Sequence, residues 1–180
     1  SFSGVLDGAV ADLEISKLNV PRPLLVERRS VAYLCISDTG TSASTGFNLY
    51  SPTFVRGMRK DEITETAKSF GEGVNLAREA GFDAIELHAG HGYLISQFLS
   101  PSTNHRKDEF GGSLQNRMRF MEMSMDHVMK AAKDDMGVLV KMNMRDCCRN
   151  GMEIDESIEV GKTLEKCGAH ALVLSSGFVS

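Results

Sequence analysis

Four short apolar runs, at residues 31–36, 84–88, 138–143 and 171–175, alternate along the chain with three longer stretches of helical periodicity. This alternation is the strongest constraint on the fold. Runs this uniformly apolar suit strands buried on both faces, and helices between successive buried strands call for parallel pairing through right-handed crossovers. The class is therefore α/β. The spacing predicts a helix over residues 61–80, where Ile63, Ala67, Phe70, Val74 and Ala77 recur at steps of three and four, with Asp61 as N-cap and Gly81 past the end. A second helix is expected over residues 113–133, with Leu114, Met118, Met121, Met125, Val128 and Ala132 on one stripe. Methionines at that spacing suit adaptable core packing. A third helix, residues 155–167, is expected to turn Ile158 and Leu164 inward and to end at Gly168.

Residues 1–30 carry only a faint helical pattern interrupted by Pro21 and Pro23, and residues 37–51, loaded with Gly, Ser and Thr, read as a long loop. The expected organisation is one domain over residues 1–180, poorly defined over 1–30 and built of βα units over 31–180. Three strand-to-strand steps separate Val31 from Ala171, roughly 47 residues apiece, so a closed eight-stranded barrel at that pace needs about 370 residues. The chain has 180.

Twenty basic against 24 acidic side chains leave a net charge of −4, which offers no general attraction to nucleic acid or to an anionic membrane. No apolar run reaches membrane-spanning length and no signal peptide opens the sequence, so a cytoplasmic protein acting on a small molecule is expected. Cys35, Cys147, Cys148 and Cys167 form no C-x-x-C pair, and adjacent cysteines rarely bridge. Reduced, structural thiols and no metal site are the expectation.

Chemistry concentrates in Glu86-Leu87-His88-Ala89-Gly90-His91-Gly92-Tyr93, at the C-terminal end of an expected parallel strand, where ligands bind in such folds. His88 and His91, flanked by glycines, can both address one ligand atom, and Tyr93 can bring a phenolic proton to the same space. That set suits holding a carbonyl oxygen while a weak acid protonates a neighbouring carbon. The spacing is short and common, and a satisfied core histidine beside a loop histidine fits it equally well. As metal ligands the pair lacks a third partner. Lys141 interrupts the apolar run at 138–143, and a charge in a buried strand calls for a ligand or a carboxylate partner. The loop from Asn104 to Ser113 is charged; Gly111 and Gly112 before a Ser113 cap could offer N–H groups to an anion, or Arg106 could staple the loop to Asp108 or Glu109.

The string GFDAIELHAGHGYLISQFLSPSTNHRKDEFGGSLQNRMRFMEMSMDHV, residues 81–128, closely resembles the central segment of the Old Yellow Enzyme family of FMN-dependent NADH:flavin oxidoreductases. The likeness extends from the helix at 61–80 to the Leu174-Ser175-Ser176-Gly177 step. It implies strands three to six of a TIM (β/α)8 barrel, a partial barrel with FMN at the C-terminal mouth and NADH or NADPH as reductant. The implied activity is reduction of the activated C=C bond of an α,β-unsaturated carbonyl compound. His88 and His91 match the family's His/His or His/Asn pair that holds the substrate carbonyl oxygen, and Tyr93 matches the tyrosine that protonates the α-carbon. Lys141 falls where many members carry an arginine against the flavin N1/O2 edge. Cys35 stands where the family usually has a glutamine that bonds the flavin pyrimidine, and Asp38 where it has a histidine. The expected partners are a small enone and, for the open edges, a second copy or the rest of a barrel. Two alternatives stand beside this reading: a partial barrel without flavin, and a metal-dependent barrel hydrolase using His88 and His91.

Overall fold

The computed structural model describes residues 31–34, 41–48 and 53–177. Cys35, Asp38 and the faint helical pattern before residue 31 lie outside them. Eleven elements follow in chain order among the described residues: β1 (Val31–Leu34), β2 (Thr41–Ser42), β3 (Gly46–Asn48), β4 (Thr53–Gly57), α1 (Lys60–Glu79), β5 (Ala84–Ala89), α2 (Leu94–Leu99), α3 (Leu114–Ala132), β6 (Gly137–Asn143), α4 (Ile154–Lys166) and β7 (Ala171–Ser175).

The main sheet has the order β1-β5-β6-β7, every neighbour parallel. Strands adjacent in space are thus successive strands of that sheet, with helices in each crossover and no reversal of order. That is the winding of a (β/α) barrel rather than of a doubly wound sheet, which reverses at a switch point. The two faces of the sheet are filled differently. One carries Leu34, Ile85, Leu87, Ala89, Val138, Val140 and Met142 into the large core shared with the helices. The other holds a small cluster of Ala84 and Leu139 with Val31, Ala171 and Val173. Helices cover one face and the second faces inward, as in a sector of a barrel wall.

The helices match their expected bounds to within a residue or two at each end. Helix α1 begins at Lys60 rather than at Asp61, because Arg59 occupies the N-cap and Glu62 reaches back to the Arg59 N–H at 2.8 Å. It ends where Gly81 takes φ of 85°, with the Gly81 and Phe82 amides returning to the Arg78 and Ala77 carbonyls. Helices α1 and α3 pack where Gly71 meets the α3 backbone: a Cβ there would sit 2.9 Å from the His127 carbonyl oxygen. The methionine stripe of α3 is core, with Met118, Met121 and Met125 buried around Phe120.

Two expectations are corrected, and one element appears that the sequence reading did not anticipate. The stretch at 37–51 is not simply a loop, since it contributes β2 and β3, which flank β4 in a three-stranded sheet of order β2-β4-β3. The segment after Tyr93 forms α2, too short for its periodicity to stand out. On α4 the inward positions are Ser157, Val160 and Leu164, whereas Ile158 is 50% exposed. Ile158 joins Ile154, Met144, Leu172 and Leu174 along a groove of about 520 Å³ beside β7. Its stripe faces the side of β7 that nothing covers among the described residues, which explains an apolar residue in water. No helix among the described residues is long and apolar enough to cross a membrane.

Candidate active site

At the end of β5 the chain must reverse sharply to enter α2. Gly90 allows it, since a Cβ there would lie 2.8 Å from the Asn143 Oδ1. His91 and Gly92 follow with φ of 57° and 81°, two successive left-handed residues. That conformation costs a histidine of order 1–3 kcal/mol and persists only where the surroundings hold it. They do: the His91 N–H donates to Asn143 Oδ1 at 3.1 Å. Asn143 is fully buried at the end of β6, and its amide donates to Asp146 Oδ1 at 2.9 Å. On the α2 side, the Gly92 carbonyl accepts from Gln97 Nε2 at 2.8 Å and the Ser42 hydroxyl donates to Gln97 Oε1 at 2.9 Å, tying the small sheet to the turn.

The turn brings the expected residues together. His88 Nε2 lies 3.1 Å from His91 Nδ1, with the rings edge to face at 5.1 Å between centroids. The Tyr93 ring packs on His88 at 4.4 Å. Lys141 is the register partner of His88 across β5 and β6, so both rise on the same face of the sheet. Its ammonium sits 3.9 Å from the Glu86 carboxylate, which supplies the carboxylate that a lysine in this strand calls for.

Burial, then the neighbouring His91 and Lys141 charges, push the His88 pKa down to about 4. Burial and Lys141 lower that of His91 as well. Both imidazoles are therefore neutral near pH 7, each carrying one N–H. They can donate hydrogen bonds to an oxygen but are poor reservoirs of a transferable proton.

Three residues of this constellation were not legible as such. Ser175, the last residue of β7, places its hydroxyl 2.6 Å from His91 Nε2. Asn143 and Asp146 anchor the turn from behind. Their signal was available: each is a polar residue that ends or follows an apolar strand, where a parallel sheet presents its ligand-facing groups. The charged loop is a scaffold. Arg106 grips Asp108 at 2.7 Å and the Ala43 and Met58 carbonyls at 2.9 and 2.7 Å, joining the loop to the small sheet. The Gly111 N–H is used by the Asp108 carbonyl rather than offered to an anion. Buried Arg117 binds the Leu99 and Gly112 carbonyls and Glu156. Among the described residues no three His, Cys, Asp or Glu side chains gather as a metal would need, so the hydrolase alternative gains no third ligand.

Fold and site together define a class: a sector of a parallel (β/α) barrel with a neutral histidine pair and a cation at the C-terminal mouth of the strands. Comparison with known proteins gives the family. Residues 8–177 match the NADH:flavin oxidoreductase / NADH oxidase family, and the chain belongs to it. The NADPH dehydrogenase of Bacillus subtilis is 38% identical over 140 residues, covering 78% of this chain and 40% of that protein. The NADH oxidase of Thermoanaerobacter brockii is 37% identical over 68% of this chain and 19% of that protein. Among solved structures, a 2-naphthoyl-CoA reductase in complex with 2-naphthoyl-CoA superposes with a TM-score of 0.73 at 28% identity, over 77% of this chain and 21% of that one. An Old Yellow Enzyme homologue from Zymomonas mobilis gives 0.66 at 26% identity, over 78% and 42%. The chain thus spans less than half the length of these relatives. The fold is that of the TIM-barrel oxidoreductases, and the family is one of enzymes that bind FMN and use NADH or NADPH.

The donor set at the mouth fits a flavin. Lys141 is a cation on the inner face, 28% exposed, and its only carboxylate contact among the described residues is at 3.9 Å, which leaves it able to face the electron-rich pyrimidine edge of a bound isoalloxazine. Cys35, the other residue expected there, lies outside the described residues.

Proposed function

We propose that this chain is the substrate-activating sector of an FMN-dependent ene-reductase, which reduces the activated C=C bond of a small α,β-unsaturated carbonyl compound at the expense of NADH or NADPH. The observation that carries this reading is the pair of neutral histidines held ring to ring beside Tyr93 and opposite Lys141. Flavin, when bound, supplies the hydride for the β-carbon. His88 and His91 each turn an N–H toward the carbonyl oxygen, which takes the place of the bond they share in its absence. Negative charge that develops on that oxygen is stabilised by two fixed donors with Lys141 nearby. The histidines stay neutral and so leave protonation of the α-carbon to the Tyr93 hydroxyl. Lys141 would hold the pyrimidine edge of the flavin, as a point charge without the fork of an arginine. The uncovered edge of β7 and its apolar groove are closed by further βα units of a longer chain, and the protein works in the cytoplasm.

The test uses the full-length protein loaded with FMN, with its two half-reactions followed separately by flavin absorbance. His88→Ala and His91→Ala are each expected to slow flavin oxidation by cyclohexenone about 10²–10³-fold, with flavin reduction by NADPH little changed. Tyr93→Phe is expected to slow alkene reduction more than flavin reduction. An unchanged oxidative half-reaction in the histidine variants would sink the assignment.

A further inference from the structure

Outside the histidine turn, the described residues place two nucleophilic side chains side by side, Cys147 and Cys148, both exposed free thiols and not the packed structural ones expected. They stand at the tip of a loop closed at its neck. The Asp146 N–H donates to the Met152 carbonyl at 3.0 Å, and the Met152 N–H returns a bond to Asp146 Oδ2 at 2.7 Å. Asp146 and Met152 are 1% and 2% exposed, so the neck is anchored while the tip is in water. Within the tip, Cys147 and Asn150 take left-handed φ of 57° and 58°, and the Gly151 N–H donates to the Cys148 carbonyl at 3.1 Å. The thiols have only weak partners: Cys148 Sγ is 3.6 Å from the Ser102 hydroxyl and Cys147 Sγ 3.8 Å from the Arg145 carbonyl.

The number of donors selects the ligand class. A structural zinc site takes four ligands, and here there are two. A direct disulfide is strained, because adjacent Cα atoms lie about 3.8 Å apart where disulfides favour roughly 5.5–6 Å. An atom inserted between the sulfurs relaxes that ring. Trivalent arsenic carrying one organic group is soft, seeks sulfur, and needs two thiols to complete its three bonds. We infer that Cys147 and Cys148 form a two-thiol capture site for trivalent organoarsenicals at the mouth of the barrel. Two arsenic–sulfur bonds form, the arsenic–oxygen bond breaks, both thiol protons leave on that oxygen as water, and arsenic remains trivalent throughout. The site is wired to the histidine turn, since the Asp146 carboxylate that closes the loop also accepts from Asn143, which holds His91.

The probe is phenylarsine oxide, added to the purified protein and challenged with excess 2-mercaptoethanol, with intact mass and thiol titration as readouts. One phenylarsenic per chain is expected, with loss of two titratable thiols and retention through the challenge. Cys147→Ser or Cys148→Ser is expected to weaken retention about 10²-fold or more, because the second bond is then no longer intramolecular. Cys167→Ser is expected to leave it unchanged, and circular dichroism checks that each exposed-site variant is folded. Equal retention in the single variants and the parent, or an adduct that vanishes only with Cys167→Ser, would overturn the inference.

Discussion

Replacement of Asn143 by Ala tests whether the histidine turn is held from behind. Two hydrogen bonds are lost. The first leaves Asp146, 1% exposed, without a donor at 2.9 Å, and loss of a bond to a buried carboxylate costs about 1.5–3 kcal/mol. The second leaves the His91 N–H without its acceptor at 3.1 Å, and because water reaches this half-buried group the cost is nearer 1 kcal/mol. Asp146 keeps the Met152 N–H, so the carboxylate is not stranded. The expected loss is about 3 kcal/mol, read as a lowered denaturant midpoint at unchanged m-value. Circular dichroism is the probe, since the chain has no Trp. Asp146→Ala removes the same bond from the other side, so the double variant is expected to be less destabilised than the two single losses added together, by about 1 kcal/mol or more. A loss below about 1 kcal/mol for Asn143→Ala, or strict additivity with Asp146→Ala, would refute the anchoring argument.

Further outcomes follow from other parts of the structure. The His88 pKa is depressed to about 4 in the fold, so the unfolded chain binds more protons between about pH 6.5 and 4. Stability is therefore full above that window and falls as pH drops through it; in His88→Gln the fall is expected to shrink, and an unchanged pH profile would contradict the burial of a neutral imidazole. Gly71→Ala drives a Cβ to 2.9 Å from the His127 carbonyl oxygen, and the overpacking is expected to cost about 1–3 kcal/mol by denaturant titration; a stabilised variant would show that α1 and α3 are not in such close approach. Arg117, with its side chain 4% exposed, serves two carbonyls and Glu156. Arg117→Leu is thus expected to cost about 3–5 kcal/mol, since it leaves the buried Leu99 carbonyl without its donor, and Glu156→Gln less, because the glutamine oxygen can still accept from the guanidinium. Equal losses in the two variants would argue against this asymmetry.

How far the sequence discloses the molecule depends on how many residues share each signal. Helices α1 and α3 each repeat one apolar face over about five turns, enough to locate them closely and to mark the α3 methionines as core. The four main-sheet strands announce themselves because each is a short run made mostly of apolar residues, with one face wholly apolar. By contrast β2 and β3 are two and three residues long, with Phe47 as their single large apolar residue, so periodicity has nothing to act on. Ile158 was misplaced because an apolar residue on a helix facing an uncovered strand gives the same pattern as one facing the core. At the site, His88, His91 and Tyr93 were legible as one local string. Ser175 and Asn143 reach the same turn from other strands, and only the parallel register, which pairs Asn143 with Ser175 and His88 with Lys141, brings them in.

The left-handed backbone at His91 narrows what evolution could place there. Among residues other than glycine, Asn, Asp and His tolerate that conformation best. The proposed role sets a second filter: to hold a carbonyl oxygen the side chain must donate a hydrogen bond while uncharged, which glycine cannot do and which an ionised aspartate would oppose. Only histidine and asparagine pass both filters. The alternation between those two in the family pair that His88 and His91 resemble thus follows from this φ angle taken with the proposed hydrogen bond, and His91→Asn is the replacement that backbone and hydrogen bonding both accept.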